Sequence, residues 1–385
     1  MSGSIYRISG GSTLHGVAPI SGGKNNALPS MAAALLTRAP VVLSNVPDIA
    51  DVRVLASILQ AVGVDVQFDA DAHEMTLHAA GEVGDSPPRE LVTQLRGSFL
   101  VVGPLLARVG RAVCAPPGGD EIGRRPVDVH LRGFAKLGAK VVQEDGCFVL
   151  DVDRLAGAHV VLDYPSVIGT ENLMLASVLA EGRTMIVNAA MEPEVVCLGA
   201  MLNEMGGRVA GHGTHTVTID GVERLRGAAH TLIPDRIEAG TFAVAAAISG
   251  GDVQLDGAEP RHMDAVLSKL REIGIETEEG EGTVRIRGGG ALRAADVQAV
   301  PYPGLATDLQ ALMTTLLTQA AGESVVHERV FENRLGYVDE LCKLGARITV
   351  SGSTATVAGP TALHGARVEG RDIRSAASLA MAALA

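Results

Sequence analysis

The sequence predicts a two-domain α/β protein assembled from repeats whose helices lie inside each domain. Three observations carry this expectation. At 385 residues the chain is longer than one ordinary hydrophobic core, which makes two domains the starting expectation. Five stretches, "LQAVGVDVQ", "FAKLGAKVV", "LNEMGGRVA", "LREIGIETE" and "LCKLGARIT", share a helix-like run that ends in glycine before a β-rich segment. Their glycines, Gly63, Gly138, Gly206, Gly274 and Gly345, are 75, 68, 68 and 71 residues apart. A second series of apolar, alanine-rich stretches follows Lys24, Arg96, Thr170, Asp235, Asp308 and Arg374, at steps of 72, 74, 65, 73 and 66. Near-constant spacing of this kind is the mark of internal duplication.

Glycine just past a helix suits the left-handed C-terminal cap, so each of the five glycines is expected to end an amphipathic helix. The second series is apolar on nearly all faces, which predicts helices buried within a domain. Turn-rich β segments precede them, for example "YRISGGSTLHGVAPISGG", "TVRIRGGGALRAADVQAVPYPG" and "TATVAGPTALHGARVEG". The expected unit is hairpin, buried helix, strand, amphipathic helix, strand. Six buried-helix copies face only five glycine copies; a sixth would fall near residue ~415, so the last repeat is expected to be incomplete.

Composition narrows the function. Hydrophobic residues make up 47% and charged residues 20%, a globular balance. Aromatics are 3% with no Trp, which argues against base-stacking on single-stranded nucleic acid. A net charge of −12 argues against broad binding to a phosphate backbone, so an anionic ligand needs a local basic pocket. Four scattered cysteines without a C-x-x-C pair suggest reduced thiols and a cytoplasmic location. No signal segment or membrane-crossing apolar run is evident, so no membrane partner is expected. His212 and His215 lack companion ligands and are expected to be solvent-exposed loop residues, with no metal site.

Helix N-termini attract anions, and basic residues there oppose the macrodipole unless a ligand answers them. Lys24, Arg96 and Arg374 occupy such positions. The stretch "PPGGDEIGRRPVDVH" sets Asp120 between a glycine pair and the arginines Arg124 and Arg125. By itself it describes a charged surface turn.

Longer motifs alter that description. "ISGGKNNALPSMAAALL", "PGGDEIGRRPVDVHLRGFAKLGA", "PSVIGTENLMLA", "NAAMEPEVV", "LIPDRIEAGTFAVAAA", "PYPGLATDLQALMTTLL" and "VFENRLGYVDELCKLGA" resemble the enolpyruvyl transferases that act on UDP-N-acetylglucosamine. The resemblance runs from about Ile8 to the last residue. It implies a two-domain inside-out α/β barrel with three repeats per domain. The domains would be residues 22–232, with a mobile loop near 116–126 and the nucleotide site, and residues 1–21 plus 233–385. The implied reaction moves the enolpyruvyl group of phosphoenolpyruvate to the 3-hydroxyl of UDP-N-acetylglucosamine, releases phosphate and opens peptidoglycan synthesis. No cofactor, metal or nucleic acid is implied, and oligomeric state is left open.

The resemblance also implies roles. Asp120 stands where many members carry cysteine and would protonate the phosphoenolpyruvate methylene or assist release. A free Asp is protonated about once per thousand at pH 7, a cost of roughly 4 kcal/mol, so its acid form is expected only in a closed ternary complex. A carboxylate is a poorer nucleophile than a thiolate, so alkylation by the epoxide antibiotic fosfomycin should be weak. Asp308 resembles the acceptor of the 3-hydroxyl proton. Lys24 matches a phosphoenolpyruvate ligand and Asn25 a sugar-nucleotide ligand, with Arg96 and Arg125 near the phosphates. Pro126, Val127, Asp128 and Val129 match a uracil-binding run, and Ser166 and Val167 a diphosphate and uridine segment. Glu192, Val330, Arg334 and Arg374 match further cleft residues. Ile168 and Gly169 depart from the usual Gly-Ala, and Tyr164 replaces a lysine of some members. The family draws one more arginine from the sixth repeat, whose absence here would slow turnover. Two alternatives stay open: a paralogue with another nucleotide acceptor, and a catalytically silent UDP-sugar binder.

Overall fold

The computed structural model describes residues 5–120, 122–123 and 125–385. The chain divides into two compact bodies. One comprises Ser21–Gly119 and Arg125–Pro234; the other comprises Met1–Ile20, a short stretch beginning at Asp120, and Asp235–Ala385.

The first body holds three copies of one unit. The first copy contains helix α1 (Lys24–Ala33), strand Val41–Ser44, helix α2 (Ala50–Ala61) and the hairpin Asp65–Asp69 with Glu74–His78. The second follows a short helix α3 (Arg89–Val92). A 3-10 stretch, Arg96–Val101, runs into α4 (Val102–Val109), then strand Arg111–Cys114, α5 (Asp128–Lys136) and the hairpin Lys140–Glu144 with Cys147–Asp151. Pro104 explains the tight entry to α4. Its ring opposes the carbonyl four residues back, so the chain is driven out of α geometry until the proline lies in a first turn. The third copy contains α6 (Val167–Ser177), strand Arg183–Val187, α7 (Pro193–Glu204) and strands Val209–Ala210 and Thr216–Asp220.

The strand after α1 and the strand after α6 are each flanked by an antiparallel partner from their own copy and a short parallel strand from elsewhere. His159–Val161 lies parallel to Arg183–Val187. The last strand, Ala228–Thr231, lies parallel to Val41–Ser44, so the third copy closes onto the first. This pairing satisfies the backbone groups on one side of Val41–Ser44 that would otherwise form a sheet edge.

The second body follows the same plan. Its helices are α8 (Arg236–Ile248), α9 (Asp264–Ile273), α10 (Thr307–Leu317), α11 (Val338–Lys343) and α12 (Ile373–Ala382). The N-terminal strand His15–Pro19 lies parallel to Asp252–Asp256, so the start of the chain belongs here. Val297–Ala299 likewise lies parallel to Gly322–Glu328.

Each body has its own core. In α6 every residue from Gly169 to Ser177 is buried, and in α10 every residue from Leu309 to Leu317. Burying one such leucine contributes about 1.5–3 kcal/mol, so these helices exist through packing rather than propensity. The five glycines behave as the spacing predicts: Gly63, Gly138, Gly206, Gly274 and Gly345 have φ of 100°, 101°, 95°, 110° and 98°. A side chain at those angles would strain against its own backbone.

Two expectations need correction. The β segments ahead of the buried helices are not hairpins. Thr283–Arg287 pairs with Glu276–Gly280 behind it, while Val297–Ala299 joins the next sheet. The hairpin therefore follows the amphipathic helix, because its turn is short while the parallel strand must reach the neighbouring copy. Thr170 does not open α6 either. The helix starts at Val167 under a Ser166 cap, and Thr170 is buried inside it, accepting a hydrogen bond from the Ala190 N–H at 3.0 Å. No helix among the described residues is long and apolar enough to cross a membrane.

Candidate active site

In the first body, Lys24 opens α1, where the N–H of Gly23 donates to the Ile233 carbonyl at 2.9 Å. The Lys24 ammonium is 3.0 Å from the Asp51 carboxylate, and Asn25 beside it is half-buried. Asn26 is fully buried and accepts from the Ile233 N–H at 3.2 Å, which ties the start of α1 to the end of this body.

Arg96 opens its 3-10 stretch and donates from Nη2 to the Pro126 carbonyl at 3.2 Å. Its Nε is buried with no hydrogen-bond partner among the described residues. Arg96 and Arg125 flank Gly119: a Cβ there would stand 2.9 Å from the Arg96 Cβ and 3.2 Å from Arg125 Nη1. The preceding Gly118 is equally constrained, since a Cβ would fall 1.7 Å from the Thr93 carbonyl oxygen. Burial, and after it the charge of Arg125, pulls the Arg96 pKa down to about 10. A guanidinium so destabilised is poised to gain from an incoming anion.

Val127 precedes α5 and Asp128 is its first residue, ion-paired with Arg132, which also holds Asp163 at 2.7 Å. Val129 packs on Gly169, where a Cβ would approach its methyl to 2.6 Å. Ser166 caps α6, its Oγ accepting from the Gly169 N–H at 3.1 Å, with Val167 next to it. The 126–129 run and the Ser166–Val167 pair are therefore neighbours at two helix N-termini, a geometry suited to anions. His130 is buried against Phe99, and its Nδ1 accepts from the Asn172 amide at 3.1 Å, so its proton sits on Nε2. Burial, then the Arg96 charge, pushes its pKa down to about 3.

Glu192, 6% exposed, precedes α7, close to Glu194 and Glu171. Glu171 was missed by sequence reasoning. It is fully buried, neither carboxyl oxygen has a hydrogen-bond partner among the described residues, and burial, then Glu194 and Glu192, raise its pKa well above the carboxylate range. The available signal was a lone glutamate in the otherwise uncharged "TENLMLASVLA".

In the second body Asp308 lies in the first turn of α10 between two arginines. Arg334 Nη2 donates to one oxygen at 2.7 Å, and Arg374 donates to the other from Nε and Nη2 at 3.1 and 3.0 Å. Arg334 is 7% exposed and also donates to the Thr307 hydroxyl at 2.8 Å. That hydroxyl donates to Glu328, which in turn accepts from the Val330 N–H at 2.7 Å. Asp308, Arg334, Arg374 and Val330 thus form one hydrogen-bonded group. Asp120 follows Gly119 and begins the short stretch counted with this body, in which Gly123 lies against the Glu332 carboxylate. Arg124, which shares the Asp120 stretch in the sequence, lies outside the described residues.

Comparison with known proteins decides the family. The profile of the EPSP synthase (3-phosphoshikimate 1-carboxyvinyltransferase) family matches residues 8–385. A UDP-N-acetylglucosamine 1-carboxyvinyltransferase of Solibacter usitatus is 48% identical, over 98% of this chain and 91% of its own. One from Magnetococcus marinus is 46% identical, over 98% and 90%. The chain belongs to the enolpyruvyl transferase family. Among solved structures, the enolpyruvyl transferase NikO of Streptomyces tendae matches with a TM-score of 0.86 at 26% identity, over 98% of this chain and 90% of that one. An EPSP synthase from Acinetobacter baumannii, at 20% identity and a TM-score of 0.75, shares the fold.

Within this enolpyruvyl transferase the departures from the family pattern have a visible setting. Gly169 makes room for Val129, and Tyr164 is exposed. One further expectation is corrected. His212 is not a solvent-exposed loop residue: its ring packs over Gly199 of α7, and burial lowers its pKa. His215 is exposed.

Proposed function

We propose that this chain transfers the enolpyruvyl group of phosphoenolpyruvate to the 3-hydroxyl of UDP-N-acetylglucosamine, releasing phosphate in the first committed step of peptidoglycan synthesis. The observation that carries this reading is the Arg96–Arg125 pair about Gly119, a concentrated positive site in a chain of net charge −12. Two polyanionic substrates would add negative charge that suits this pair. The names of the relatives supply the substrate class.

In this reading Lys24, Arg96 and Arg125 hold phosphate groups. Asn25, residues 126–129, Ser166, Val167 and Glu192 hold the nucleotide sugar. Asp308 accepts the proton of the attacking 3-hydroxyl, and Arg334 and Arg374 keep it aimed until substrate displaces part of the fork. Asp120 supplies a proton to the methylene carbon as the 3-hydroxyl oxygen bonds to the adjacent carbon. The resulting methyl group then gives a proton back to a carboxylate as the carbon–oxygen bond to phosphate breaks, which restores the double bond and releases phosphate. The four free cysteines fit a reducing compartment, the cytoplasm.

The test is phosphate release from phosphoenolpyruvate with and without UDP-N-acetylglucosamine. Release that requires the nucleotide sugar is expected. Release with another uridine nucleotide alone would move the assignment to a paralogue, and binding without release would make the chain a binder.

A further inference from the structure

Cys197, on α7, has no part in the reaction above. Its sulfur lies 3.1 Å from His230 Nε2, and His230 Nδ1 lies 2.8 Å from a Glu204 carboxylate oxygen. Glu204 ends α7, seven residues after Cys197, so two turns put both side chains on one face. His230 comes from the closing strand Ala228–Thr231. Because Glu204 accepts at Nδ1, the imidazole proton sits there, and the Nε2 lone pair faces the thiol.

Thiol, base and orienting carboxylate are therefore in line. Cys197 is 6% and His230 8% exposed, while Glu204 reaches solvent. Burial raises the Cys197 pKa, and the nearby Glu204 and Glu194 charges also raise it; the Ile233 backbone N–H and the Asn26 amide oppose them. The resting sulfur is a thiol with its base in place. Cys114 is buried too, but burial and Cys147 put its pKa at about 12.

We propose that Cys197 is a base-activated thiol, a modification site for small electrophiles such as peroxides, coupled to the start of α1. The sulfur attacks one peroxide oxygen as the O–O bond breaks, and His230 takes the thiol proton and passes it to the departing hydroxide. Sulfenic acid and water result, with sulfur oxidised by two electrons and peroxide reduced by two. The added oxygen has little room. It displaces the Asn26 amide or Ile233, which hold Gly23 and hence Lys24 and Asn25. This coupling rests on the substrate roles proposed above for Lys24 and Asn25; the thiol chemistry does not.

The test treats the full chain with hydrogen peroxide, traps sulfenic acid with dimedone and quantifies all four cysteines by peptide mass spectrometry. Cys197 is expected to react at least about tenfold faster than Cys114. Glu204→Gln and His230→Asn are expected to slow Cys197 about tenfold and leave the exposed Cys342 unchanged, with circular dichroism confirming the fold. A Cys197 rate no faster than that of Cys114, or unaltered in both variants, overturns the site. In untrapped samples, peroxide is expected to weaken UDP-N-acetylglucosamine binding reversibly, with dithiothreitol restoring it and Cys197→Ala abolishing the effect. Oxidation of Cys197 without loss of binding overturns the coupling. Failure to bind before any treatment overturns the proposed function instead, and the labelling pattern still decides the thiol.

Discussion

Arg96 and Asp308 show how differently two charged side chains are held in the fold. Arg96 is partly buried beside another cation, so its charge contributes little to the unliganded fold. Arg96→Gln is expected to weaken UDP-N-acetylglucosamine binding about 100-fold by calorimetry while the unliganded Tm moves by no more than about 2 °C. Asp308 is held by two arginines, one of them buried, so its removal has two consequences. Asp308→Asn should lower kcat for phosphate release about 100-fold or more, and should cost about 3 kcal/mol in urea unfolding by leaving Arg334 without its counter-charge. Under the proposed function, the side chain at position 120 is expected to set sensitivity to fosfomycin. Asp120→Cys should retain release and become alkylated by fosfomycin, seen as a covalent mass shift that the parent lacks.

At the scale of elements, the starts of α5 and α6 are fitted to each other through Gly169. A methyl there would meet Val129 and the Ser166 hydroxyl that caps α6. Gly169→Ala should cost about 1–3 kcal/mol and raise the Kd for the nucleotide sugar, since overpacking pushes the two N-termini apart. The same elements show what a sequence discloses. A helix end is announced locally, because the left-handed cap demands glycine at a set place, and all five glycines have the expected angle. A strand's partner is not local. "TVRIR" and "VQA" stand close in sequence, yet they belong to different sheets, and only pairing across the repeat distinguishes them.

For the molecule as a whole, two buried groups near the first body's helix starts place opposite demands on pH. His130 has its pKa lowered from 6.5 to about 3, so the unfolded chain takes up a proton that the fold refuses. Its contribution is present above pH 6.5 and lost as pH falls toward 3. Glu171 is raised well above 4.5, so its contribution is full below that value and lost as pH rises through the folded pKa. Urea midpoints from pH 4 to 9 should therefore pass through a maximum. Glu171→Gln should flatten the alkaline limb and leave the acid limb in place.

The repeat, the buried helices and the glycine caps were legible in the sequence, because periodicity and capping are properties of neighbours along the chain; local motifs named candidate site residues there, and Glu171 was not among them. Tertiary structure alone decided which residues meet. It placed Asp308 between Arg334 and Arg374, set Arg96 beside Arg125 across a glycine, left Glu171 without a partner among the described residues, and lined up Cys197, His230 and Glu204. The reason is physical. Asp308, Arg334 and Arg374, like Cys197 and His230, lie on segments many residues apart, and the packing of successive copies, rather than any local preference, brings them within hydrogen-bond distance.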